Sequence, residues 1–351
     1  MFSWDNNRQS SQTTYRVFGK LTQKFGSEES NSDESAATIK NAFFTIQGDY
    51  TSNKYTFDDA NHGDNLFHYG YVGRFDTYKA QIYQNGSAID SLTGIIYNGR
   101  VMNGWADTLY DFEASNINPS LVNYTSAYYR MFSEYGMNSY QGATMANFFN
   151  VDASNDGFIR TAADLQGQGL LNGDLPANVY SLYGNHGTMY NGSAKREDTQ
   201  TSFKASGSAD INSHEFSFGF EFEQRKDYYW GIGPMGLWGL MRQQANKHIL
   251  ERDLSNPQPV IDLLTGVYQD TINYDRLVIN EEQSDFDKKL RAYLQSTAAT
   301  DNQGNLITEQ TYIDIDSYDP SVYSLDLFSA DELLNNGSSL VYYYGYDIYG
   351  N

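Results

Sequence analysis

Gly231-Ile232-Gly233-Pro234-Met235-Gly236 has the G-x-G-x-x-G spacing that cradles a dinucleotide pyrophosphate, and Asp253 follows about 20 residues on. Its surroundings argue against that chemistry. The preceding segment alternates Phe with Glu, so one face is wet, whereas a Rossmann strand is buried on both faces. The reading is a Gly-rich turn, with no cofactor. Asp152, Ser154 and Asp156 stand at the first ligand positions of a calcium loop and Gly157 at its turn. The twelfth position is Ala163, and Asp164 falls one place late. A solvated acidic turn is the preferred reading there, with calcium binding by an external loop as the alternative. His62, His68, His186, His214 and His248 show no metal-site spacing. There is no G-x-S-x-G elbow, no P-loop and no cysteine. No catalytic residue is assigned, and an enzyme is not expected. Tyr128, Tyr129 and Trp105 could stack on a sugar or peptide, but ordinary loop packing is the simpler reading.

The elements that carry these residues are β-strands. Tyr and Phe number 30 and 20, Pro only 6, and mean hydropathy is −0.60. No run of about 18 apolar residues exists, so no transmembrane helix is expected, although a barrel strand needs only about ten alternating residues. Lys and Arg total 23 and Asp and Glu 44, a net charge of −21 that repels nucleic acid and fits long solvated loops. Period-two alternation predicts strands over about 14–25, 41–50, 66–84, 201–211, 214–226 and 340–349. The long segments 85–200 and 227–339 are expected to be loops containing short helices, one over 237–250 and one behind a capping box at Ser329 and Glu332. No regular internal repeat is visible.

The strongest signal is a hairpin around Asn212-Ser213. Pairing residues whose numbers add to 425 sets Phe216, Phe218, Phe220 and Phe222 opposite Ala209, Gly207, Ala205 and Phe203. The same register sets Lys204 opposite Glu221 on the other face, so both faces specify it. Each Phe gains roughly 1.5–3 kcal/mol on leaving water. Two surroundings can supply that, lipid or a second packed sheet. The charged opposite face and the Tyr228-Tyr229-Trp230 cluster favour lipid, with the cluster as an interfacial girdle and Lys204 and Glu221 as a lumen-side pair. A two-residue turn flanked by very long segments matches the short periplasmic turns and long external loops of outer-membrane barrels. The expectation is therefore all-β: a partial antiparallel transmembrane β-barrel over 1–351, with too few strands to close by itself. The N-terminal residues have no apolar core, so a signal peptide is expected to lie upstream.

Three stretches resemble the barrels of Oar-like TonB-dependent receptors, the subfamily often fused to a carboxypeptidase-regulatory-like domain. They are Asn41-Ala42-Phe43-Phe44-Thr45-Ile46-Gln47-Gly48-Asp49-Tyr50 with residues 64–75, then residues 208–211 with 218–225, and finally Asp319-Pro320 with Leu325-Asp326-Leu327-Phe328 through Gly337. The last is the most specific, by its length. The resemblance implies a Gram-negative outer-membrane receptor that takes up a substrate and couples to the TonB complex through a plug. No plug, TonB box or signal peptide is visible, so the barrel portion alone is expected. Lipid is the expected surrounding of Phe203, Phe216, Phe218, Phe220 and Phe222. The alternative is a soluble secreted β-rich protein that binds glycans or peptides.

Overall fold

In a computed structural model the described residues are 7–25, 39–123, 125–126, 171–174, 189–335, 337 and 339–351. Strands make up 47% and helices 19%, and the sheets are antiparallel apart from one short contact. The calcium-loop residues Asp152, Ser154, Asp156 and Asp164 lie outside the described residues, as do Tyr128, Tyr129 and His186. The chain divides into two units, one of residues 8–58, 192–232 and 341–351 and one of residues 1–7, 59–191 and 233–340.

The first unit is a five-stranded sheet. Its strands are β1 (Arg8–Phe25), β2 (Ile39–Asp59), β5 (Ser193–Ile211), β6 (His214–Ile232) and β9 (Val341–Tyr344), in the order β1-β2-β5-β6-β9. The β5–β6 hairpin has the register read from its sequence, with Phe216 opposite Ala209 and Lys204 opposite Glu221. Asn212, at φ +56°, makes the tight turn, a conformation Asn adopts more readily than most residues. β6 runs six residues past the expected end at 226 and carries Tyr228, Tyr229 and Trp230 inside the strand. β9 is shorter than expected because Gly345, at φ +77°, turns the chain out of the extended conformation. The sheet is open, and no closed barrel forms among the described residues.

The second unit holds a four-stranded sheet, β3 (Gly73–Ile89), β4 (Ile96–Ala114), β8 (Tyr268–Asn273) and β7 (Gln258–Ile261) in that order. Among its described residues are the α-helices α1 (Gly236–Gln244), α2 (Asp285–Ser296) and α3 (Ala330–Leu334). Two expectations are corrected here. Residues 66–72 are not strand: Leu66–His68 is a 3-10 turn. Phe67, Tyr69, Tyr71 and Val72 are all buried, Gly70 sits at φ +75°, and Asn118 Nδ2 donates to the carbonyls of His68 and Tyr71. Alternation there reflects a packed loop and not a pleated face. The segment 85–200 is not one loop either, since it contains all of β4 and the start of β5.

The missing signal was a short repeat. Asp90-Ser91-Leu92-Thr93-Gly94 joins β3 to β4, and Asp262-Leu263-Leu264-Thr265-Gly266 joins β7 to β8. In the first turn Asp90 Oδ1 accepts from the amides of Leu92 and Thr93 at 2.8 and 3.2 Å. In the second, Asp262 Oδ1 accepts from Leu264 and Thr265 at 2.9 and 2.8 Å. Gly94 and Gly266 close them at φ +69° and +67°. β4 and β8 pair in parallel through Arg100 with Thr271 and Val101 with Ile272, so both turns point the same way.

The helices pack through Trp238, Phe286 and Phe328, all fully buried, with the last two rings stacked at 4.6 Å. α1 ends earlier than expected because Ala245 turns extended, at φ −66° and ψ 147°, and Asn246 follows in the left-handed region at φ +62°. Its side chain then bonds Ile313 and Arg291. The capping box at Ser329 and Glu332 starts α3 as its sequence indicates.

Candidate functional site

The five-stranded sheet has two chemically distinct faces, and strand alternation decides which residue meets which face. Across the β2–β5 and β5–β6 registers, Phe44 lies in line with Gly207 and Phe218, Ile46 with Ala205 and Phe220, and Gly48 with Phe203 and Phe222. Cross-strand bonds of β1 to β2, from Thr14 to Asn53 and between Thr22 and Thr45, place Tyr15, Val17, Leu21 and Phe25 on that same apolar face. The Phe25 and Phe44 rings sit 5.9 Å apart. Small residues opposite rings have a visible use, because Phe218 covers Gly207 so closely that a Cβ there would meet its ring at 2.7 Å.

This face is bare. Phe216, Phe218, Phe220 and Phe222 are 53, 73, 61 and 50% exposed, and Tyr15, Val17, Leu21, Phe25, Ile46, Tyr50 and Phe203 are exposed as well. With about 200 Å² per Phe side chain, the four rings of β6 alone leave roughly 450–500 Å² uncovered. A typical monomer's largest apolar patch is about 300–600 Å², and here three more strands extend the patch. No second layer covers these rings, so the packed-sheet alternative lacks its partner sheet among the described residues.

The opposite face is polar. Lys204 Nζ and Glu221 Oε1 meet at 2.7 Å, Arg225 Nε and Glu223 Oε1 at 2.6 Å, and Asn41 Nδ2 donates to Asp210 at 2.8 Å. Phe18 and Phe43 are exposed apolar residues on that face. Further along the sheet the apolar face also turns polar, with Lys54 and Glu197 paired at 3.4 Å. The apolar band on β1, from Tyr15 to Phe25, spans ten residue steps. At about 3.4 Å per step that is roughly 34 Å, or about 24 Å for a strand tilted near 45°, close to the roughly 25 Å apolar belt of outer-membrane barrels.

The aromatic cluster lies beyond this band, but it does not stand free. Trp230 is buried, and its Nε1 donates to the carbonyl of Ile348 at 2.7 Å. Tyr228 packs on Tyr346 at 5.6 Å, and Tyr229 on Tyr342 and Tyr344 at 5.8 and 5.7 Å. The C-terminal residues therefore share the cluster, a partnership that no local sequence pattern announces.

The remaining sequence motifs resolve into packing. A Cβ at Gly231 would meet Tyr229 Oη at 2.7 Å and Ala194 Cβ at 3.2 Å. Gly236 lies against Leu340. Asp253 holds a local turn by accepting from the amide and hydroxyl of Ser255. Gly231 and Gly236 thus stand where a side chain would meet its neighbours closely. His62 Nε2 lies 2.7 Å from Asn118 Oδ1, and His248 Nε2 lies 3.2 Å from the Glu309 carbonyl. No group of three or more His, Cys, Asp or Glu able to hold a metal occurs among the described residues. Trp105 carries the Arg276 guanidinium over its ring at 4.0 Å, a contact across distant sequence. No helix among the described residues is long and apolar enough to cross a membrane. No family model matches the chain, and no curated protein is similar to it.

Proposed function

We propose that the five-stranded sheet is part of an outer-membrane β-barrel, with its apolar face in lipid, and that the chain is the barrel portion of a TonB-dependent receptor that takes up a substrate. The observation that carries the reading is the bare apolar band across β1, β2, β5 and β6, backed by a polar face. Connectivity supports it. A two-residue turn joins β5 to β6 at one end, while the other ends lead into the long insertions 59–191 and 233–340. In this reading those insertions are external loops, further strands complete the barrel, and a plug links it to the TonB complex. The stretches that resemble Oar-like receptors include strands of this sheet. Transport needs no covalent step, and the absence of an assigned catalytic group in this reading follows from that.

Cysteine-scanning spin labels test the proposal, and a chain without native cysteine allows it directly. Phe218→Cys and Ser217→Cys, labelled in lipid vesicles, are compared by collision with oxygen, which concentrates in lipid, and with a water-soluble nickel chelate. Label 218 is expected to meet oxygen and label 217 the chelate. Equal chelate access at both, or a label at 218 reached by neither, rejects the membrane reading.

A further inference from the structure

The second unit holds a cavity of about 420 Å³ between β3, β4 and the segment 301–318. Its size suits a small ligand of one or two rings. Two cations, Lys79 and Arg276, line this cavity together with two carboxylates, Asp314 and Asp301, and Asp301 Oδ1 is taken up by its own turn, accepting from the backbone amides of Gln303 and Asn305 at 2.9 and 2.8 Å.

Arg276 is held in place by the protein. Its Nη1 donates to the Ile249 carbonyl at 3.0 Å, and its guanidinium lies 4.0 Å from the Trp105 ring centre and 5.4 Å from that of Tyr312. The cations Lys79 and Arg291 lie close enough to interact with it, and no ion pair joins it to a carboxylate among the described residues. Desolvation pulls its pKa down, the signature of a buried cation short of negative partners. Lys79 Nζ lies 3.8 Å over the Tyr312 ring. Burial lowers Lys79 to about 7, and the neighbouring Asp314 is raised to about 6 by burial. Asp314 also accepts from the Thr77 hydroxyl. One carboxyl thus serves the lysine, while the guanidinium keeps N–H groups available for a planar anion.

The rest of the wall is suited to hydroxyl groups. Asn302, Gln303, Asn305 and Gln310 line it with side-chain amides, and Thr308 and Thr311 add hydroxyls. The amides of Gln303 and Gln310 make no protein hydrogen bond among the described residues. A wall of side-chain amides and hydroxyls matches a sugar, whose hydroxyls both donate and accept.

We infer that this cavity binds an acidic sugar, with the carboxylate on Arg276 and the hydroxyls on the amide wall. The inference does not depend on where the apolar sheet face lies. A chain that binds such a sugar yet needs no lipid keeps this site and loses the membrane reading.

Calorimetric titration of the full chain in detergent with digalacturonate, galactobiose and succinate tests it. Digalacturonate is expected to bind saturably, and galactobiose, its neutral counterpart, at least about tenfold more weakly because it lacks the charge-assisted bonds. Arg276→Gln is expected to lose at least about tenfold in affinity for digalacturonate, with Arg276→Lys recovering part of it. Failure of digalacturonate to bind, or equal binding of galactobiose, overturns the site. Succinate binding as tightly as digalacturonate overturns its assignment to a sugar. If Arg276→Gln does not fold, the three titrations of the unaltered chain still decide.

Discussion

Phe220→Arg probes the apolar band near its middle, in line with Ala205 and Ile46. Phe220 is 61% exposed, so about 120 of roughly 200 Å² of its side chain awaits cover. At about 25 cal/mol per Å² that contact with lipid contributes roughly 3 kcal/mol. An arginine on a lipid face near the bilayer centre adds a cost of about 2–4 kcal/mol. The area figure is an upper bound, so a loss on the order of 5 kcal/mol is expected in vesicles. The paired control is Glu221→Arg, one residue away on the polar face. There the lost contact is a half-exposed ion pair with Lys204, and about 1 kcal/mol or less is expected. Urea unfolding in lipid vesicles, followed by tryptophan fluorescence, measures both. In water an exposed Phe is replaced at a cost within about 0.5 kcal/mol. Near-equal stabilities of the two variants in vesicles therefore refute the lipid-facing reading.

Four further outcomes are expected. Arg291 is almost fully buried and binds Asp287 at 2.7 Å, the Thr308 and Thr311 carbonyls at 2.8 Å and Asn246 at 3.0 Å, so Arg291→Ala should cost about 3–5 kcal/mol in denaturant unfolding by stranding a buried carboxylate. Gly94→Ala and Gly266→Ala place a side chain at φ +69° and +67°, and each should lose about 1–2 kcal/mol by the same assay. Burial holds the His248 imidazole below its ordinary 6.5, so the unfolded chain takes up this proton first as pH falls. His248's contribution is complete above about 6.5 and declines below it, and unfolding titrations at pH 7.5 and 5.5 should show a smaller difference in His248→Gln. Asp90 and Asp262 are held below the usual carboxylate range, led by the Thr93 hydroxyl for Asp90 and the Thr265 amide for Asp262. Both turns should therefore keep their protection above about pH 4 and lose it as the carboxylates protonate, seen as faster hydrogen exchange at Gly94 and Gly266 relative to the intrinsic rate.

The turn and register of the β5–β6 hairpin were legible because their information is local, although both strands run on beyond their expected outer ends. Alternation assigns each side chain to a face, Asn212-Ser213 fixes the turn, and a one-residue slip would separate both the Phe–small pairs and the Lys204–Glu221 pair. The capping box of α3 was legible for the same reason, since donor and acceptor sit three residues apart. The twin Asp-x-Leu-Thr-Gly turns were equally local, and the pattern was there to be seen in residues 90–94 and 262–266. Other features belong to the tertiary structure alone. Alternating aromatics at 67–71 read as a strand, yet Asn118, some fifty residues away, bonds the backbone into a buried loop. The Tyr228-Tyr229-Trp230 cluster was visible in the sequence, but that the Ile348 carbonyl accepts from the Trp230 indole N–H was not. Lys79, Trp105, Arg276 and Tyr312 are dispersed along the chain and meet only when β3, β4 and the segment 301–318 close around one cavity. Periodicity reports which way a residue points; which distant group it then meets depends on chain closure, and no short stretch of sequence encodes that.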